Sequence, residues 1–192
     1  MRDNRTDYVI LGMLAIEPNR SGYDIRKALE FSVGHFWSES YGQIYPALKR
    51  LTTEGLIDPI KSTSAPKQRR QEYALTDAGR ARLQEWLAQP FQNDPPRNEF
   101  LLKLFFGREA SPSVSVRHVR ELQEKNRRML ATLKGIERMA HEVHPENPNM
   151  PYWMLTLSLG IALTRAALDW GESALAQLAS VDAAAPECPP PA

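Results

Sequence analysis

The chain has 192 residues, of which 42% are hydrophobic, and its formal net charge at pH 7 is +1. This length allows one or two small domains with a packed core, and a charge so near zero gives no overall sign of a polyanionic partner. The single cysteine, Cys188, excludes an internal disulfide and indicates a reducing compartment. Because no apolar run precedes Tyr8, we predict no secretory signal and a cytoplasmic location.

Two helices are predicted at the start of the chain. Residues 8–16 are too apolar for a surface helix, and Thr6 or Asp7 offers an N-cap before them. Ser21 and Asp24 then form a capping-box pattern, which begins a second helix. We expect the first helix to lie in the core and the second to bury only one face.

A third helix is predicted within residues 37–57. Its apolar residues recur at helical spacing on one stripe: Ile44, Leu48 and Leu51. Ser40 and Gln43 form a second capping-box pattern, and a helix tolerates Pro46 only in its first turn, so we expect the helix to begin between residues 38 and 42. The opposite face is polar and its first turn is small, which suits entry into a groove and contact with a phosphate. The alternative is an ordinary amphipathic helix.

A basic hairpin is predicted directly after this helix. Gly55 ends the helix, residues 56–60 begin a short strand, and Tyr73 and Leu75 alternate as a returning strand should. The segment between the strands contains four cations and no acid: Lys61, Lys67, Arg69 and Arg70. A basic hairpin after a groove-facing helix is typical of a winged helix-turn-helix. A solvated charged hairpin is the alternative.

Three segments resemble the PadR-like family of bacterial transcriptional regulators. They are GQIYPALKRLTTEGLI at residues 42–57, SGYDIRKAL at 21–29 and EYALTDAGRARL at 72–83. The resemblance covers residues 7–89. It implies a dimeric winged-helix repressor with a helical C-terminal dimerisation region, often released from DNA by a small aromatic or hydrophobic effector. Thr52 and Thr53 depart from the family pattern, in which acidic residues are common at this point.

The predicted partner is therefore a double-stranded DNA operator. We expect base reading by Tyr41, Gln43, Tyr45 and Lys49 at the exposed face of the third helix, where a glutamine can pair with adenine. We expect phosphate contacts from the wing and from the outer face of the second helix. The complete set of predicted DNA-binding residues is Tyr23, Arg26, Ser40, Tyr41, Gln43, Tyr45, Lys49, Lys61, Lys67, Arg69 and Arg70. For Arg26 and Tyr23, a solvated surface is the alternative.

The fold class that follows is mainly α, with an N-terminal winged helix-turn-helix domain that includes a two-stranded wing and an all-helical C-terminal dimerisation domain. Thr76 caps a fourth helix that closes the first domain at residues 1–90. Residues 91–99 include Pro95 and Pro96, directly after Pro90, and are predicted to be a linker. The helical domain is predicted at residues 100–181 and a disordered tail at 182–192.

Three helices are predicted in the C-terminal domain. Residues 100–106 form a short helix so apolar that it must be covered on most sides. Residues 112–144 carry a heptad-like pattern, in which Asn126 either fixes the register of a buried seam or lies exposed. Residues 152–178 form a long apolar helix that charged residues interrupt too early for a membrane span. So much apolar surface predicts a homodimer.

Aromatic residues of this domain are candidates for an effector pocket. They are Phe100, Phe105, Phe106, Trp153 and Trp170. Apolar pockets commonly form where the chains of a dimer meet, and the resemblance adds that the pockets of this family can take aromatic ligands. The alternative for each side chain is that it only fills the core.

Two other classes of protein were weighed against a DNA-binding regulator. An enzyme is not expected, because the sequence has no phosphate loop or nucleophile elbow, and only His141 and His144 approach a metal-ligand spacing. We therefore predict no catalytic residue, no metal site and no cofactor. A winged-helix protein-protein adaptor without operator binding would keep the fold, but it would have no use for the cations around the third helix.

Overall fold

The computed structural model describes residues 5–34, 36–37, 39–60, 70–91 and 98–183, with side chains up to residue 180. The chain divides into two compact units, residues 1–93 and 94–192. The first contains α1 (Arg5–Ile16), β1 (Arg20–Ser21), α2 (Gly22–Ser32), α3 (Tyr41–Thr53), β2 (Ile57–Ile60), β3 (Glu72–Leu75) and α4 (Asp77–Leu87). The second contains α5 (Glu99–Phe105), a 3-10 turn (Gly107–Glu109), α6 (Pro112–Val143) and α7 (Met150–Ala183).

The core of the first unit is built from one face of each of its helices. Its buried residues are Tyr8, Ile10, Leu11, Leu14, Ile25, Leu29, Ile44, Ala47, Leu48, Leu51, Ile57 and Leu83. The predicted inward stripe of the third helix is confirmed, because Ile44, Leu48 and Leu51 are all at most 1% exposed. Burial of each such side chain contributes about 1.5–3 kcal/mol to stability. The opposite face of α3 is thereby directed outward.

A small antiparallel sheet lies beside these helices, with the strand order β1-β3-β2. In the predicted hairpin, Ile57 pairs with Leu75 and Ile60 with Glu72. The third strand, β1, was not predicted, since a two-residue strand has no periodicity to detect. Residues 61–69, which the sequence predicts to connect these two strands, lie outside the described residues.

Two glycines shape the connections of this sheet. Gly55 has a φ of +69°, the left-handed conformation expected of a glycine that ends a helix. Gly79 lies so close to the strand that a Cβ atom would come within 2.0 Å of the carbonyl oxygen of Leu56. The amide of Gly79 donates to the hydroxyl of Thr76 at 3.0 Å, which confirms the predicted cap of α4. The close approach of α4 to the sheet therefore depends on a residue without a side chain.

The start of the first helix differs from the prediction. Thr6 and Asp7 lie inside α1, which already includes Arg5, and they do not act as its N-cap. Their side chains form tertiary contacts instead: the Thr6 hydroxyl donates to Glu39, and the Asp7 carboxylate accepts from Arg50. Sequence pattern identified two polar side chains at the right place but assigned them to the wrong partners.

In the second unit, α6 and α7 pack along each other. Their core contains Leu133, Leu157 and Ile161. Further along, Gly171 lies against the buried side chain of Gln123, which fills the space that a Cβ atom would need. Asn126 is half-buried and its amide donates to the Leu122 carbonyl of its own helix at 2.9 Å. No described helix has an apolar stretch long enough to cross a membrane.

The short helix of the second unit is more exposed than predicted. The expectation that α5 is covered on most sides is not met within a single chain, because α5 contains no buried residue and Phe105 is 82% exposed. The last helix is also longer than predicted, running from Met150 to Ala183. Residues 184–192 of the predicted tail lie outside the described part of the chain.

Candidate nucleic-acid interface

The outward face of α3 presents the side chains that the sequence assigned to base reading. Tyr41, Gln43, Tyr45 and Lys49 are all exposed, and Tyr45 is 51% accessible. The buried stripe of α3 lies on the other side of the same helix, so these four residues have no place in the core. The arrangement leaves a polar and aromatic helix face free to meet a large partner.

The first turn of α3 is closed by a cap between two of the predicted site residues. The side-chain oxygen of Gln43 accepts hydrogen bonds from the amide of Ser40 at 3.0 Å and from the hydroxyl of Ser40 at 2.9 Å. The predicted pairing of Ser40 with Gln43 is confirmed. The oxygen of the Gln43 side-chain amide is therefore engaged by the helix cap. The amide nitrogen still carries two hydrogens that it can donate.

An arginine and two tyrosines form a layer that joins α2 to α3. The guanidinium of Arg26 lies 4.0 Å from the ring centre of Tyr41. Tyr41 in turn stacks on Tyr45, with ring centres 6.1 Å apart. Arg26 also forms an ion pair with Glu30 at 2.6 Å, one helical turn further along α2. The positive charge of Arg26 is thus oriented by a ring and partly neutralised by a carboxylate.

A second arginine links the wing to α2. The guanidinium of Arg70, which precedes β3, lies 3.8 Å from the ring centre of Tyr23. The other wing cations of the predicted set, Lys61, Lys67 and Arg69, lie outside the described residues. The structure thus brings Tyr23 and Arg70 together, although 47 positions separate them in the sequence.

Close packing holds α2 against α3 beneath these rings. A Cβ atom on Gly22 would come within 2.8 Å of Leu48 Cδ1 and 3.2 Å of Tyr45 Cε1. Tyr73 of β3 also belongs to this region: partial burial raises the pKa of its hydroxyl, and Tyr45 adds to the effect. The aromatic face of α3 is therefore supported from behind by α2 and β3.

The candidate effector residues are not gathered into one cluster by their ring contacts. Phe100 meets Trp170 edge to face at 5.8 Å, Phe105 meets Phe106 at 5.1 Å, and Trp153 meets His144 at 6.0 Å. Phe105 and Phe106 are exposed, and Trp170 is 41% accessible. Of the five, the pair Phe100 and Trp170 is the one with a contact between helices that are distant in sequence.

Sequence reasoning did not predict the partners of the acidic residues around the interface. Glu30 pairs with Arg26 at a spacing of four residues, a signal that the sequence did contain. Glu39 and Asp7 bind partners more than 30 residues away, for which no local pattern exists. Among the described residues, no group of three or more His, Cys, Asp or Glu side chains could hold a metal ion.

Taken together, these features define a class of protein. A helical pair, an outward-facing third helix capped by Ser40, and a hairpin with arginine at its base form a winged helix-turn-helix, a DNA-binding fold. In agreement, residues 10–85 match the profile described as the transcriptional regulator PadR-like family, and residues 96–179 match that of the virulence activator alpha C-terminal region.

The chain is 34% identical over 176 residues to the negative transcriptional regulator PadR of Bacillus subtilis (strain 168), covering 89% of this chain and 96% of the relative. The chain belongs to the transcriptional regulator PadR-like family. The predictions of a winged-helix transcriptional regulator and of a mainly α fold are thereby confirmed.

Solved structures agree with this assignment over nearly the whole chain. The crystal structure of Bacillus subtilis PadR in complex with operator DNA has a TM-score of 0.79 at 30% identity, covering 91% of this chain and 99% of that one. The same protein in complex with p-coumaric acid has a TM-score of 0.73 at 30% identity, with the same coverage.

Proposed function

We propose that the chain is a ligand-responsive transcriptional repressor that binds a DNA operator as a homodimer. The observation that carries this proposal is the exposed face of α2 and α3, where tyrosines, a lysine and an oriented arginine take the place of apolar residues. A polyanion with readable base edges is the partner that this chemistry suits. As a DNA-binding regulator of a family with bacterial members, the protein acts in the cytoplasm.

In the proposed complex, α3 enters the major groove. Tyr41, Gln43, Tyr45 and Lys49 contact base edges, and Ser40 offers the first turn of the helix to a phosphate. Arg26, Tyr23 and Arg70 contact the sugar-phosphate backbone on either side, together with Lys61, Lys67 and Arg69 of the wing. The two arginine–tyrosine contacts support these roles, because they orient the cations before DNA arrives.

A second copy of the chain supplies the other half of the proposed dimer. The face of α7 opposite its contact with α6 carries an apolar stripe: Tyr152, Leu155, Leu159 and Leu163, each more than 60% exposed. A continuous apolar stripe of this kind marks a surface for protein association. In a two-fold dimer the two winged units would meet two half-sites about one helical turn apart.

The ligand response rests on the family relationship and on the aromatic residues of the second unit. The relative from Bacillus subtilis is a negative regulator, and its structure with p-coumaric acid identifies an aromatic acid as a ligand of that protein. For this chain we propose an aromatic ligand near Phe100 and Trp170, with Phe105, Phe106 and Trp153 as further candidates. Such a ligand must favour the DNA-free conformation, since equal affinity for both conformations shifts nothing.

An electrophoretic mobility shift with DNA from upstream of the chain's own gene tests the proposed function. We expect tight binding that weakens steeply with salt, because the cations of the wing release counterions from the phosphates. Addition of p-coumaric acid should release the DNA, while a non-aromatic acid of similar charge should not. Equal affinity for the upstream duplex and for a random duplex of the same length would contradict operator recognition; failure of p-coumaric acid alone would contradict only the choice of ligand.

Substitution of Tyr23 tests the proposed role of its ring in orienting Arg70. Tyr23→Leu removes the ring and should weaken operator binding about two- to fivefold, since an exposed cation–π contact contributes about 0.5–1 kcal/mol. Tyr23→Phe keeps the ring and should bind like the wild type. Fluorescence anisotropy with a labelled operator duplex measures both. If Tyr23→Phe is as weak as Tyr23→Leu, the hydroxyl itself contacts DNA and the ring is not the relevant group.

A further inference from the structure

The helix proposed to read DNA contains an arginine that is held by another part of the protein. Arg50 lies in the last turn of α3, and arginine is the side chain most often used to read guanine in the major groove. Here its Nε donates to one carboxylate oxygen of Asp7 at 3.2 Å, and its Nη2 donates to the other. Both carboxylate oxygens of Asp7 accept a hydrogen bond from Arg50, so the pair has a fixed orientation.

The opposite end of α3 is held by the residue next to Asp7. Glu39 stands immediately before the N-cap Ser40, and both its oxygens lie 3.1 Å from the hydroxyl of Thr6. The indole nitrogen of Trp37 donates to the same carboxylate at 3.0 Å. Thr6 is only 3% exposed, so its hydroxyl is fixed within the unit. Adjacent residues in the first turn of α1 thus fix both ends of α3.

These polar contacts fix the orientation of α3, which the apolar core does not. Burial of leucine and isoleucine keeps α3 against α1, but hydrophobic contact is non-directional and permits small sliding and rotation. Two directional attachments near opposite ends of a helix fix its position along the axis and its rotation together. Recognition side chains need a support that holds them within about 0.5 Å of the productive geometry.

The guanidinium of Arg50 keeps its charge in this pair. The hydrogen bond that Arg50 donates to Asp7 raises the pKa of Arg50 above its ordinary value, and the charges of Asp7 and Glu54 add to this effect, although partial burial opposes it. The side chains of Arg50 and Asp7 are 36% and 17% exposed, respectively. An ion pair this accessible contributes about 1 kcal/mol or less to stability. We therefore infer that the pair of Arg50 and Asp7 serves to orient α3 more than to stabilise the fold.

We propose, on the basis of the DNA-binding function above, that Asp7 is a positioning residue for operator recognition, acting through Arg50 to set the placement of α3. In this role an acidic residue of a DNA-binding unit strengthens binding to a polyanion. Asp7 touches no base in this role. Arg50, held by Asp7, reads no base either.

Asp7→Asn separates this role from simple electrostatics, because the two predict opposite changes in operator affinity. The substitution raises the formal net charge of +1 by one unit, so electrostatics alone predicts tighter binding to every duplex. Positioning predicts that operator binding weakens about tenfold while binding to a random duplex stays equal or becomes tighter. Fluorescence anisotropy at one salt concentration, with the upstream duplex and a random duplex, gives the ratio of the two affinities.

Three further variants serve as controls. Glu54→Gln removes another acid whose charge acts on Arg50 and should leave the ratio unchanged. Asp7→Glu retains a carboxylate and should recover most of the operator preference. Arg50→Lys keeps the charge but loses the planar two-point contact, so it should behave like Asp7→Asn. A phosphate contact by Arg50 would instead be largely preserved by lysine.

The outcomes distinguish this proposal from the proposed function. If the wild type prefers the upstream duplex and folded Asp7→Asn keeps the same ratio, Asp7 has no positioning role and operator recognition stands. If the wild type has no preference, both proposals fail together. The thermal unfolding of each variant is measured as well. If a variant loses operator preference but keeps wild-type stability, a merely structural role of Asp7 is excluded.

Discussion

Gln43→Glu is expected to abolish operator preference while leaving α3 folded. The cap uses only the side-chain oxygen of Gln43, which accepts from the amide and hydroxyl of Ser40. A glutamate has an equivalent oxygen, and its charge is favourable at the N-terminus of a helix by about 0.3–1 kcal/mol. What the substitution removes is the amide nitrogen, the one part of the side chain that the cap leaves available.

The same geometry narrows what Gln43 can read. Two-point pairing with adenine needs both the oxygen and the nitrogen of the amide, and the oxygen is already engaged with Ser40. While the cap is intact, we expect the nitrogen alone to donate to an acceptor such as a purine N7 or a guanine O6. Loss of this contact costs about 1–3 kcal/mol, and a carboxylate facing base acceptors and phosphates adds repulsion.

The measurement compares the upstream duplex with a random duplex at the same salt concentration. We expect operator affinity of Gln43→Glu to fall about 100-fold or more, and affinity for the random duplex to fall much less, since both share the charge effect but only the operator loses a base contact. Circular dichroism should show unchanged helix content. Gln43→Ala is the matched comparison, because it loses the cap as well as the donor. A Gln43→Glu protein that retains wild-type preference would remove Gln43 from the set of reading residues.

Leu159→Glu is expected to convert the protein to a monomer and to weaken operator binding about 100-fold or more. Leu159 is 62% exposed at the centre of the outward apolar stripe of α7. A buried carboxylate without a partner is strongly unfavourable, so the second copy cannot pack there. Loss of the dimer removes the gain from simultaneous binding of two half-sites, a factor of about 10²–10⁴.

Analytical ultracentrifugation of the full chain measures the first effect and anisotropy the second. Arg165→Glu provides the control, since it places the same side chain on an exposed position of α7 away from the stripe. The point substitution is preferable to removal of residues 150–192, because α7 also contributes Leu157 and Ile161 to the core with Leu133. A Leu159→Glu protein that remains dimeric at micromolar concentration would place the interface on another surface.

Local patterns in the sequence predicted the framework of the candidate site well. The caps at Ser21, Ser40 and Thr76 each depend on residues three positions apart, so they can be predicted from the local sequence. The inward stripe of α3 follows from helical spacing in the same way, and its outward face is whatever remains.

Contacts between distant residues were not predictable from the sequence. Arg50 and Asp7 are 43 positions apart, and nothing near either residue indicates its partner. Thr6 and Asp7 even matched the pattern of an N-cap, which is why the start of α1 was placed wrongly. The exposure of Phe105 was missed for a different reason: an apolar sequence predicts that a helix is covered but not by which chain.

The ion pair between Arg26 and Glu30 bears on how a repressor finds its operator among the bulk of chromosomal DNA. A genome offers about 10⁶–10⁹ competing sites, and proteins with many unpaired cations are held on them. Arg26 carries its own carboxylate partner at 2.6 Å, and the whole chain has a formal charge of only +1. If Arg26 contacts a phosphate as proposed, every duplex must displace Glu30 to bind, so the ion pair lowers the affinity for random DNA as well as for the operator and leaves fewer copies held along the chromosome.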